Sequence, residues 1–310
     1  MRGWWQDFTD LVLPAECGGC GRLRTVLCPE CRAALSGAVP SRVRPVPEPP
    51  GLPVVHAAAR YADEVRAVLL AHKERGALAL AAPLGTALAG AVRAGLETSG
   101  TAAMGGDRPV LLVPVPSARA AVRARGHDPA RRIALAAAGE LRRTGTAARV
   151  LAVLRQRRAV ADQSGLNSRQ RQDNLAGALA LAPGGDRLLR GGSVVLVDDL
   201  MTTGASLTEA ARAVRAATAR EQRTRAYGGM AEAAIAHRRN PGLISYGGAT
   251  PAVYAATGRE GREERIAGSA DEGTDSRHAV PGIAGAGGAG DVICAAVVAA
   301  PPDSFEINRN

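Results

Sequence analysis

One stretch restricts this chain more than any other: VVLVDDLMTTGAS, Val194 to Ser206. Its first four residues are apolar, three of them valine, and read as a buried strand that delivers two adjacent carboxylates, Asp198 and Asp199. A Thr-Thr-Gly turn follows and a helix opens at about Ser206, because Leu207, Ala210, Ala211 and Val214 repeat at i, i+3, i+4, i+7. A strand feeding a helix through so tight a turn belongs to an α/β fold with a mostly parallel sheet flanked by helices. The chemistry of the turn points to a phosphorylated sugar. Backbone N–H groups at the turn and helix start face an anion, Gly204 permits close approach, and Thr202, Thr203 and Ser206 add hydroxyl donors. Asp198 and Asp199 repel phosphate, but they accept hydrogen bonds from ribose hydroxyls or hold a magnesium shell. Asp198, Asp199, Met201, Thr202, Thr203, Gly204, Ala205 and Ser206 are therefore the candidate substrate-binding residues, with the two aspartates as catalytic candidates. Such ligands sit at the carboxyl ends of parallel strands.

The cysteines carry the second pattern. Cys17-x-x-Cys20 and Cys28-x-x-Cys31 have the spacing of a compact structural zinc site with four thiolate ligands. With every sulfur occupied, such a site is structural rather than catalytic. A module this small has little core, so metal is expected to supply much of its folding energy. Cys294 lies in an apolar run, ICAAVVAAP, and is expected to be inert core.

Charge is informative by location. The chain has 310 residues and a formal charge of +10. From Arg119 to Arg171 there are 13 arginines against Asp128, Glu140 and Asp162, an excess equal to that of the whole chain. A local basic field favours an anionic partner, either a phosphorylated small molecule or a nucleic-acid backbone. Lys73 is the only lysine, a compact point charge suited to phosphate. Asp7 and Asp10 interrupt the start of the chain and Asp291 interrupts the most apolar late run, so a cytoplasmic protein without a membrane segment is expected.

Along the chain, residues 1–40 form the four-cysteine module and 41–53 a proline-rich connector, extended and stiff. The α/β domain occupies 54–218, with strands at Leu111 to Val115 and Gly192 to Asp199 and a helical stretch from Arg119 to Arg143. Residues 219–291 are glycine-rich and aperiodic, and are read as a disordered insertion, with 292–310 returning as the final strand and tail.

The order of these motifs is similar to that of the ComF family, competence-associated (GntX-like) proteins with a type I phosphoribosyltransferase domain. The likeness rests on CGGC…CPEC, AHKERG at 71–76, VPVPSARAAVRARG at 113–126, QSGLNSRQRQDN at 163–174 and the 194–206 motif, and covers about 1–217 and 292–310. The resemblance implies a type I phosphoribosyltransferase-like fold and binding of phosphoribosyl pyrophosphate (PRPP) with Mg2+, beside structural Zn2+. It places a pyrophosphate loop at Val115, Pro116, Ser117, Arg119 and Arg125, whose turn is expected to present backbone N–H groups from Ser117 onward. It places a hood over the site with Lys73, Gln163, Arg171 and Asn174. After Arg125-Gly126 the family often has an aromatic residue and Asn, whereas this chain has His127-Asp128-Pro129.

Two functional classes follow. One is a phosphoribosyltransferase releasing pyrophosphate, for which no acceptor pocket is recognisable in the sequence. The other is a non-catalytic protein associated with single-stranded DNA or with competence and recombination proteins, using the PRPP fold as sensor or scaffold; the absence of aromatics between Arg119 and Arg171 weighs against it. A third outcome is a chain that has lost function through its insertion.

Overall fold

The computed structural model describes residues 16–100, 108–158, 160, 165, 167–220, 223 and 292–305. A six-stranded sheet runs through them in the order β1 (Ser41–Val43), β2 (Val55–Arg60), β8 (Val292–Ala300), β7 (Ser193–Leu200), β3 (Val110–Pro114), β4 (Ala148–Val150). Every neighbouring pair is parallel except β1 and β2. The last strand of the chain thus enters between β2 and β7, where Ala295 sits opposite Val55 on one side and Leu196 on the other.

Both faces of the sheet are covered, which is why its strands read as continuous apolar runs. Val195, Val197, Ala296 and Val298 face one layer, formed by α1 (Pro29–Ser36), α2 (Asp63–Glu74), α3 (Ala81–Thr98) and α5 (Pro129–Arg143). Val194, Leu196, Ala295 and Val297 face the other, where a helix over 205–220, here α8, supplies Leu207, Ala210, Ala211 and Val214. A two-stranded antiparallel pair, β5 (Leu154–Gln156) with β6 (Leu179–Leu181), joins that second layer, as does Leu189 of the short helix α7 (Gly185–Leu189). The run Leu78–Thr98 is long and apolar enough to cross a membrane by composition alone, but 61% of its most apolar window is buried in the fold. Its apolar character is that of a core helix: an added Cβ at Gly85 would meet Ala136 of α5 at 2.4 Å, and one at Gly95 would meet Cys294 of β8 at 2.7 Å.

The stretch expected as one helix from Arg119 to Arg143 is two. The first, α4 (Arg119–Arg125), ends at Gly126, whose left-handed φ of +76° closes it. The second, α5, starts afresh with Asp128 as N-cap and Pro129 in its first turn. At the other boundary α8 runs past 218, the expected end of the domain: Thr218 is buried and its hydroxyl donates to the carbonyls of Val214 and Arg215. The glycine-rich stretch read as an insertion lies outside the described residues, except 219, 220 and 223, which are helical.

The N-terminal cysteines are not set apart from this core. Cys17, Leu27, Cys28, Cys31 and Leu35 are buried in the same apolar cluster as α2 and α3. Leu80 packs so tightly on Gly18 that a Cβ there would lie 2.6 Å from it. The proline-rich connector is also engaged. It begins as edge strand β1, Arg44 N–H donates to Ser304 O, and Leu52 and Pro45 cover Gly204.

Candidate functional site

β7 is the inner strand that carries Asp198 and Asp199 to the carboxyl end of the sheet. Successive strand residues alternate faces, so the two neighbours in sequence part company. Asp199 continues the Val195–Val197 row toward the layer of α2, and Asp198 continues the Val194–Leu196 row toward α8. Asp199 is buried, and its Oδ2 lies 3.0 Å from Nζ of Lys73, at the end of α2. Asp198 Oδ1 accepts the Asp199 N–H at 2.8 Å, and the side chain joins Leu200 to Leu207 in lining an indentation at the start of α8. Burial, with the charge of Asp199 alongside, pushes the Asp198 carboxyl well above the usual carboxylate range. Burial pulls the Lys73 ammonium down, but Asp199 and Asp198 outweigh it and the net shift is upward.

Residues next to Lys73 fasten it in place. His72 is fully buried, with Nδ1 3.3 Å from Ala77 O, and desolvation lowers its pKa. Its carbonyl lies 3.2 Å from Nε2 of His127, and the two rings meet edge to face at 5.5 Å. Glu74 pairs with Arg125 across 3.3 Å. The end of α2 is thereby clasped to the end of α4, and Arg125 keeps a buried Nη1 without a hydrogen-bond partner.

The loop between β3 and α4 lies on the neighbouring strand, since Pro114 pairs with Val197. Its backbone donors are more committed than the sequence implies. Val115 N–H goes to Val197 O at 2.9 Å, Pro116 has none, and Ser117 N–H faces Asp128 Oδ2 at 3.4 Å. The amide expected to meet an anion is held instead by the N-cap of α5, whose other oxygen accepts from Arg131 N at 3.2 Å.

The polar segment expected over the site folds as α6 (Ser168–Leu175), started by a capping box in which Asn167 and Gln170 satisfy each other's backbone N–H. From it Arg171 Nη1 reaches Thr202 Oγ1 at 3.4 Å, while its Nε is buried without a partner. Asn174 stands near the helix end, its carbonyl accepting from Arg158 at 2.8 Å; Gln163 lies outside the described residues. Gly204 adopts φ +74°, which only glycine takes easily, and the atoms nearest its missing Cβ are Leu52 Cδ1 and Cδ2 at 3.1 Å. Its conformational freedom therefore serves the turn and the overlying connector as well as any ligand.

The four cysteines converge. All four Sγ atoms lie within 4.8 Å of one another, close enough to hold a metal ion such as zinc. Cys20 and Cys28 Sγ are 3.6 Å apart, and Cys17 Sγ accepts from Cys28 N at 3.3 Å. Burial pushes the Cys17 thiol up, but backbone N–H groups of Cys28, Cys20 and Gly19 outweigh it and bring it down to about 6, whereas Cys28 and Cys31 shift upward, Cys31 mainly through burial. Cys294 is buried in β8 and pushed up to about 12.

Lys73 of α2, Arg125 of α4 and Arg171 of α6 thus draw toward Asp198, Asp199 and Thr202 at the end of β7. Sequence reasoning gave no role to Glu74, His127 or Asp128, although His127-Asp128 stood out as a departure from the family pattern. Asp128 left a further signal, as the Asp-Pro pair that caps a helix start. No protein-family model matches this chain, and no curated protein matches it either.

Proposed function

We propose that this protein binds PRPP with Mg2+, as a ComF-type protein of type I phosphoribosyltransferase-like fold, with Zn2+ held by Cys17, Cys20, Cys28 and Cys31. The observation that carries the reading is the pair of carboxylates on opposite faces of β7, one beside a cation and the other beside the loop of 200–207. In this reading Asp198 and Asp199 accept hydrogen bonds from the ribose hydroxyls. The loop amides and the hydroxyls of Thr202, Thr203 and Ser206 hold the 5′-phosphate. Lys73 and Arg125 supply positive charge toward the diphosphate, Arg125 through the donor the fold leaves unpaired. Magnesium, when bound, neutralises the diphosphate oxygens. If an acceptor is present, the C1′–oxygen bond breaks, pyrophosphate leaves with the bonding pair, and the acceptor nucleophile bonds to C1′ and gives up its proton. These residues favour an oxocarbenium-like transition state by orientation and water exclusion rather than by a nucleophile.

Calorimetric titration of PRPP with magnesium tests this. Saturable binding is expected, lost in the Asp198→Asn/Asp199→Asn double variant with the fold retained by circular dichroism. No binding by folded, zinc-loaded protein sinks the reading and leaves single-stranded DNA association as the alternative, with a steep dependence of affinity on salt as its signature.

A further inference from the structure

A second concavity opens where α4 faces the segment that follows β5. It measures about 370 Å³, within the range of small-molecule pockets. Arg119 and Arg123 line it from α4, and Gln156, Arg157 and Arg158 from across the gap, with small apolar side chains between. Among the described residues, no acidic and no aromatic side chain lines it. Nor does it share a residue with the indentation formed by Asp198 and the loop after β7.

Only some arginines are neutralised within the fold. Arg125, Arg143 and Arg212 are paired with Glu74, Glu140 and Glu209. Arg158 braces the far wall by donating to the carbonyls of Asn174 and Ala176 at 2.8 and 3.0 Å. The backbone of Arg157 is pinned too, its N–H bonded to Ala178 O at 2.8 Å. Yet the guanidiniums of Arg119, Arg123 and Arg157 have no ion pair among the described residues. Three like charges around a preformed hollow repel one another until an anion fills it, and guanidinium forks match phosphate and carboxylate oxygens. A single strand of nucleic acid would want stacking surfaces that this wall lacks.

We propose that this pocket is a binding site for a small, multiply charged anion, bearing phosphate or several carboxylates, separate from the loop of 198–206. It shares Arg119 with the pyrophosphate loop that the family resemblance implies, but does not rest on the PRPP reading. The test uses the whole protein at about 0.15 M salt, where loose surface attraction is largely screened. Inorganic tripolyphosphate and citrate are titrated separately, so that the two arms distinguish phosphate from carboxylate recognition. Saturable binding of at least one is expected, weakened about tenfold by Arg157→Ala, as fits loss of one charge-assisted contact, partly restored by Arg157→Lys, and abolished by Arg157→Glu. The exposed Arg157 variants keep the wild-type melting temperature, and Asp198→Asn/Asp199→Asn leaves anion affinity unchanged. Three results each overturn the proposal: no saturable binding of either anion; loss of PRPP and anion binding together in Arg157→Ala; or an oligothymidylate that binds more tightly than both anions and depends equally on Arg157. Absence of PRPP binding counts against the function proposed above and leaves this outcome readable.

Discussion

Asp198 and Asp199 are one peptide bond apart but experience different surroundings, and pH separates them. Asp198 is raised by burial and by its neighbour's charge, so the folded state holds a proton that the unfolded chain releases near the ordinary aspartate value of about 4. Between that value and the raised native one, the folded state binds more protons than the unfolded. Stability therefore falls as pH rises through the window. Asp198→Asn is expected to flatten this slope and to stabilise the protein at neutral pH while weakening ligand binding, the trade expected of a strained functional site. Urea midpoints on both sides of the window check it; an unchanged slope would show that Asp198 titrates normally. At Lys73 the sign reverses. Lys73→Ala leaves Asp199 buried beside Asp198 with no counter-charge, at an expected cost of about 1–3 kcal/mol in urea unfolding, moderated because Lys73 keeps partial contact with water. Gly204→Ala forces a side chain into a left-handed backbone and against Leu52, and is expected to cost about 1–2 kcal/mol.

At the scale of elements, the division of Arg119–Arg143 into α4 and α5 matters more than either helix. The break frees Asp128 to cap α5 with one oxygen and to face Ser117 N–H with the other, so a helix cap also holds the loop beside β7. Asp128→Ala is expected to lower stability by about 1 kcal/mol, the usual value of a cap. It is also expected to loosen the loop, weakening PRPP affinity by more than the stability change explains. Asp128→Asn, which keeps both acceptor contacts through its side-chain oxygen only in part, should fall between. Equal PRPP affinity in wild type and Asp128→Ala would show that the loop is held by other means. The capping box of α6 has a related use: it starts a helix of almost wholly polar sequence, from which Arg171 reaches Thr202. Periodicity had no apolar stripe to detect there, since only Leu175 is buried.

For the whole molecule, the four-cysteine cluster is joined to the main core rather than an appendage. Cys17, Cys28 and Cys31 are buried in one apolar cluster with α2, the helix whose last turn carries Lys73, while Cys20 is exposed. Chelating a metal held by these cysteines, or substituting Cys31→Ser, is therefore expected to lower the melting temperature of the entire α/β domain in one transition and, on the proposed function, to weaken PRPP binding with it. A separate low-temperature transition with the main one unmoved would mean that the module unfolds by itself. The sequence by itself determined the local pieces: the β7 strand, the turn at Thr202 to Gly204, the start of α8 and the convergence of Cys17, Cys20, Cys28 and Cys31. Backbone sterics, hydrophobic period and ligand spacing act over a few residues, so they are legible in a few residues. Only the tertiary structure decided which pieces meet. It set β8 between β2 and β7, turned Asp198 and Asp199 to opposite layers, brought Lys73 to Asp199, and placed Arg157 opposite Arg123. Those choices depend on burying both faces of one sheet at once, a condition on the whole chain that no short window of sequence contains.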